Sequence, residues 1–219
     1  MKFSKRNLVV SVVSLIMVSA VMAEESAKSW DKIVMAGIGI PLARHKVEIG
    51  GEKKNINSQG GGLFTEYVTI EKETNLSLVL NGTVGGYLSD DFPSGTEFGG
   101  FFSTFAGLGY APVNNEKIKF VAAAGIGADC FGYEMEHNGI RNIVDAVEFS
   151  AGIDLALIAN LSDRIGIGFN VLGTVSLCGA THYDYNPSNK CYRNDKKETY
   201  NVKGGSLSII PSVGVTVHF

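Results

Sequence analysis

Few side chains in this 219-residue sequence have the types and spacing for chemistry. There are three cysteines: Cys130, Cys178 and Cys191. Cys178 and Cys191 lie 13 residues apart, so a bond between them would close one loop. In the chain-entropy picture such a closure stabilises by about 3 kcal/mol. Pairing does not follow from spacing, so a pair involving Cys130 and three free thiols both stay open. Glu66, Lys119, Asp129, Glu148 and Asp154 all sit in β-like stretches. They fall on the parity read as inward, although Glu66 shares its parity with Phe64, Val68 and Ile70, and charges in an interior need partners. Four histidines remain, His45, His137, His182 and His218. Three fall in expected loops and one is the penultimate residue. No His-x-Ser stands on a strand, and no His or Cys pair has zinc-site spacing. The expectation is no catalytic residue, no metal and no cofactor.

The elements that would position these residues are strands. Eight segments carry β-type patterning: 31–42, 61–72, 75–88, 98–111, 118–131, 143–159, 164–178 and 204–219. Most exceed the ordinary strand of about 5–6 residues and are long enough to cross a bilayer core. Short connections follow the second, fourth and sixth: Glu73-Thr74, Pro112 to Lys117, and Asn160 to Asp163. The others are longer, about 43–60, 89–97, 132–142 and 179–203. Short turns at one end and long loops at the other are the layout of a transmembrane barrel.

The faces agree with that layout. In the last segment Leu207, Ile209, Val213, Val215, Val217 and Phe219 oppose Ser206, Ser208, Ser212, Gly214, Thr216 and His218. The seventh sets Ile165, Ile167, Phe169, Val171, Val175 and Leu177 against Gly166, Gly168, Asn170, Thr174 and Ser176. Large residues on one face and small polar ones on the other suit lipid outside and a narrow interior. Closure is then required, because hydrocarbon satisfies no open strand edge. The second and fourth segments carry bulk on both parities, and their faces stay open. Trp30, Tyr110 and Phe219 at one end, with Tyr87 and Tyr133 at the other, suit interfacial girdles. Glycine, 27 residues in all, recurs inside the strands, where it marks close approach of other groups.

The N-terminus has the form of a secretory signal peptide. Lys2, Lys5 and Arg6 precede an apolar stretch from Leu8 to Val21, and Val21-Met22-Ala23 offers a cleavage site. The expected division is 1–23 signal peptide and 24–219 barrel domain. Removing three positive charges takes the formal charge from −3 to −6, which argues against nucleic acid.

Signal peptide, eight amphipathic strands, alternating connections and a terminal Phe219 behind Val213, Val215 and Val217 resemble the small eight-stranded bacterial outer-membrane proteins. Those include the OmpA transmembrane domain, OmpX and OmpW types. The resemblance is architectural and spans the mature chain. It implies an all-β, eight-stranded antiparallel up-and-down transmembrane barrel in the outer membrane of a Gram-negative-type envelope. It also implies that Val213, Val215, Val217 and Phe219 form the signal read by the barrel assembly machinery. Further partners would be outer-membrane lipid, and host or surface ligands met by the loops, with the chain a monomer. The leading functional expectation is a structural or surface-interaction role through the long loops. A narrow OmpW-like channel for small or hydrophobic molecules is the alternative. A lipid-modifying enzyme and a soluble periplasmic lipid-binding barrel rank lower.

Overall fold

A computed structural model describes residues 30–49, 52–88, 96–137, 140–185, 196–202 and 204–219. The expected signal peptide and its cleavage site lie outside the described residues, as does Cys191. Ten strands form one antiparallel sheet: β1 (Trp30–Gly39), β2 (Leu42–Ile49), β3 (Glu52–Glu71), β4 (Leu76–Leu88), β5 (Thr96–Asn114), β6 (Ile118–His137), β7 (Ile140–Asn160), β8 (Ile165–Tyr185), β9 (Lys196–Val202) and β10 (Leu207–His218). β1 and β2 are two parts of one wall strand, and β9 extends the sheet beside β8 in the last loop. Pairing of β1 with both β3 and β10 closes a ring of eight strands.

The stagger of that ring can be followed residue by residue. From Ile33 the partners run through Val68, Val79, Gly107, Gly125, Gly152, Thr174 and Ser208 to Ala43. The path returns to its starting strand ten residues higher. For eight strands such a shear tilts the strands by about 40°. On β7 the lipid-type residues run from Leu157 to Val147. Ten steps of ~3.3 Å at that tilt give a belt about 25 Å tall, the thickness of an outer-membrane apolar band.

The closing seam explains Pro211. β10 pairs with β1 from Ser212 to His218 and with β2 from Leu207 to Ile209. Pairing lapses where Ile40-Pro41 faces Ile210-Pro211, because Pro211 has no N–H to give across the seam, while the Pro41 carbonyl is turned to Gly60 of β3. The register is the same on both sides of the gap, and the Ile40 N–H still donates to the Pro211 carbonyl at 2.9 Å. The seam therefore holds without a bulge. At its end the His218 N–H donates to the Arg164 carbonyl at 2.9 Å and the Phe219 N–H to the Lys32 carbonyl at 3.0 Å.

The three short turns are tied by local side chains. Glu71 accepts from the Thr74 N–H and hydroxyl, both at 2.6 Å. Asn115 accepts from the N–H groups of Lys117 and Ile118, and Ser162 from that of Ile165. Asn75, at φ 58°, takes the left-handed position in the first turn, which asparagine tolerates.

Two sequence expectations need correction here. The long connections are not loops throughout. Residues 43–60 are largely a hairpin in which β2 and β3 continue the wall, with Lys46 opposite Asn55. β6 and β7 likewise pair as far as His137 with Ile140. Loop-like polarity there belongs to the outer face, which stands above the apolar belt, while Ala43, His45 and Ile56 on the inner face are buried. The second correction concerns aromatic placement. Tyr110 and Phe219 are exposed, but Tyr87 and Tyr133 are buried on the inward face. Parity decides this: Tyr87 follows Asn81 and Thr83 inward on β4, and Tyr133 follows Asp129 on β6.

Candidate functional site: a layered interior

The outward side chains form a nearly unbroken apolar surface. Ile153, Leu155, Leu157, Ile167, Phe169, Val213 and Val215 are all exposed, and Phe219 is 69% exposed. A patch of that extent in water would be an aggregation surface.

The interior is filled in layers. At the short-turn end Lys119 donates to Asp31 at 2.8 Å and to Asn114 at 2.7 Å, and Lys72 lies 3.4 Å from the same aspartate. Above this rim Ile33, Met35, Val68, Ile70, Val79, Val121 and Ile158 pack into one apolar cluster. This layer differs from the small polar interior expected from the sequence. It also settles the second segment, whose Phe64, Glu66, Val68 and Ile70 all point inward. In the fourth segment Phe101 and Phe105 are inside.

Glycines make room for the plug. Gly37, Gly214 and Gly168 lie side by side across the seam. A Cβ on Gly37 would run into the Val213 carbonyl, and one on Gly168 into the Met35 sulfur. Close approach, not a turn, requires glycine at these positions.

A polar layer follows. Asp154 accepts from Asn170 Nδ2 at 2.7 Å and from Asn81 Nδ2 at 3.1 Å. Asn81 Nδ2 also donates to Asn170 Oδ1 at 3.3 Å. Glu66 lies against Asp154 and Asn170. Glu66 and Asp154 are both 0% exposed. Hydrogen bonding at this depth is what makes the Asp154 carboxyl tolerable, whereas neither carboxyl oxygen of Glu66 has a hydrogen-bond partner.

Nearer the long-loop end lies an upper chamber. Asp129 accepts from the Ser103 and Thr174 hydroxyls. Glu148 accepts from the Ser206 hydroxyl at 2.6 Å, and Ser206 in turn accepts the Lys46 N–H at 2.9 Å. Aromatic rings cover these carboxyls. His45 stacks on Phe131 with centroids 3.7 Å apart and meets Tyr87 edge-on at 5.2 Å, while Tyr87 lies 4.6 Å from Phe101. The free space among them is about 10 Å³, room for one water.

No protein-family model matches the sequence, and no curated protein matches it. Among solved structures it is similar to a major outer membrane protein from Thermus thermophilus, with a TM-score of 0.56 and 10% identity, covering 84% of this chain and 99% of that one. Neisserial surface protein A aligns at TM-score 0.48 and 12% identity over 89% of this chain and 100% of its own. Ail, the attachment invasion locus protein of Yersinia pestis, aligns at TM-score 0.44 and 13% identity over 87% and 99%. The chain has the outer-membrane β-barrel fold.

The barrel places the sequence-selected residues as follows. Glu66, Asp129, Glu148 and Asp154 project inward at two levels, the first and last in the polar layer and the other two in the chamber. Lys119 is inward at the rim, distant from all four acids, and its partner is Asp31. Val213, Val215, Val217 and Phe219 line one outward face of β10. Cys178 is a free, exposed thiol beside a register shift on β8, and Cys130 is free and half-buried.

The barrel also shows what the residue types alone did not. His45, expected in a loop, is on β2, 5% exposed, with no hydrogen-bond partner on either ring nitrogen. The signal for it was present: Ala43 and His45 alternate with Leu42, Arg44 and Lys46, a strand pattern running through the expected loop. Tyr87, Phe101 and Phe131 join it as chamber walls. Among the described histidine side chains His182 contacts Thr199 and His218 contacts Thr216.

Proposed function

We propose that the protein is a monomeric barrel of a bacterial outer membrane with a structural or surface-interaction role, exercised by its long-loop hairpins. One observation carries this reading: the interior is plugged. The apolar cluster around Met35 and the Asp154–Asn81–Asn170 layer together fill the cross-section. An eight-stranded barrel leaves an interior that side chains just fill, so a packed lumen supports a wall over a passage. The lipid-type belt supports the location, with the short-turn end in the periplasm and the hairpins outside the cell. Outer-membrane lipid would be the permanent partner. The assembly machinery would read β10 through Val213, Val215, Val217 and Phe219, and surface or host ligands would meet the hairpins. In this reading the role is non-catalytic.

Planar-bilayer recording tests the plug. The folded barrel is expected to give no steady conductance, and Asp154→Gly none either. A stable conductance from the unaltered protein would overturn the plugged reading and restore the channel alternative.

A further inference from the structure

The two carboxyls of the polar layer are not alike. Asp154 takes Asn170 Nδ2 on Oδ1 and Asn81 Nδ2 on Oδ2, so each of its oxygens has a donor. Glu66 is as deeply buried, lies against Asp154, and receives a hydrogen bond on neither oxygen. Its register partner on β4 is Asn81, whose amide is spent on Asp154 and Asn170. Its register partner on β1 is Met35, which has no side-chain hydrogen to donate. Among the described residues the buried bases are Lys32, His45 and Lys119, and none stands in this layer. Lys32 precedes the inward Ile33 on β1 and so points away from the interior. His45 belongs to the chamber above, with Asp129 and Glu148. Lys119 is at the rim below, engaged with Asp31 and Asn114.

An ionised carboxylate can only accept hydrogen bonds, and buried polar atoms are ordinarily partnered. A carboxylic acid can also donate, and an acceptor lies against Glu66. We infer that Glu66 stands in the folded barrel as the neutral acid at neutral pH, its O–H donated to the Asp154 carboxylate, and that this proton locks the polar layer. The proton sits on Glu66 because two amide N–H groups stabilise charge on Asp154 and none does so on Glu66. Two ionised carboxyls side by side without a cation would repel in a medium that screens little. One proton removes a charge and supplies the missing hydrogen bond together. The lock is therefore sensitive to pH. The folded barrel keeps a proton that an unfolded glutamate has released at neutral pH, so its contribution to stability weakens as pH rises. In alkali the proton leaves, two charges stand in the plug, and the layer loosens.

Urea unfolding in lipid vesicles over a series of pH values tests this, with Glu66→Gln as the comparison. Glutamine keeps a donor beside Asp154 and has no proton to titrate. Relative to that variant, the folding constant of the unaltered protein should fall about ten-fold per pH unit upward from about pH 6, until the proton is lost. Titration of Asp129, Glu148, His45 and the surface is common to both proteins and cancels in the ratio. A ratio that stays flat with pH would overturn the proposal. If Glu66→Gln does not fold, infrared spectra of the Glu148→Gln barrel decide. They should show the C=O stretch of a protonated glutamate at neutral pH, identified by its shift on isotopic labelling of glutamate, and lose it in alkali. Absence of that band at neutral pH would equally overturn it. Sodium chloride stabilising the unaltered protein, but not Glu66→Gln, beyond an equal concentration of potassium chloride would assign a bound sodium ion in the proton's place, and that also overturns it.

Discussion

At the residue scale the decisive contrast is between carboxyls that share a layer with amides and those that share one with rings. Asp154 is held by two asparagines at ordinary hydrogen-bond distances. Removing one amide leaves a buried oxygen unsatisfied, which costs about 1–3 kcal/mol. Asn170→Ala should therefore lower the barrel's stability by that amount, measured by urea unfolding in lipid vesicles; an unchanged midpoint would contradict the layer's structural role. Glu71 gives a pH prediction outside the membrane. Hydrogen bonds from the Thr74 hydroxyl and N–H, with a further one from the Glu73 N–H, hold its carboxyl below the usual value of 4.5. A lowered carboxyl stabilises the turn above its unfolded-state value, and that contribution is lost as pH falls through the folded one. The Thr74 amide resonance should titrate with a midpoint below 4.5. A midpoint at or above it would show that the cap is not formed in solution.

At the element scale, period-2 patterning was readable wherever the two faces met different media. β7, β8 and β10 follow the expected alternation because one side meets lipid and the other meets the interior. It was ambiguous in β3 and β5, where apolar residues also point inward to build the plug. It misled above the belt, where β2 and β3 have no lipid to contrast with and read as a loop. The last strand is the clearest element. Its final residue is both exposed to the lipid side and tied by its N–H to Lys32. Deleting Phe219 removes the terminal seam bond together with the aromatic end. Less heat-modifiable barrel should then be recovered from the outer-membrane fraction, and unchanged recovery would sink the assembly role.

At the scale of the whole molecule, eight strands with a ten-residue stagger leave an interior that cannot be both packed and open. The filled cross-section and the apolar outer surface belong together, since both follow from which parity carries bulk at each height. The location has a simple check. The folded protein should sediment with outer membranes and run at a different apparent size before and after boiling. Recovery in the soluble periplasmic fraction would refute the membrane placement.

The alternation of small and large residues, the rhythm of turns and the aromatic terminus were sufficient to specify an eight-stranded closed sheet with lipid outside. Those features are local, and a two-residue period reports a face directly. Which inward residues meet was decided only by the stagger. It sets Glu66 beside Asp154, across nearly ninety positions of chain, and brings His45 over Asp129 and Glu148. Sequence spacing carries no trace of that, because height inside a tilted barrel depends on the pairing of every strand between.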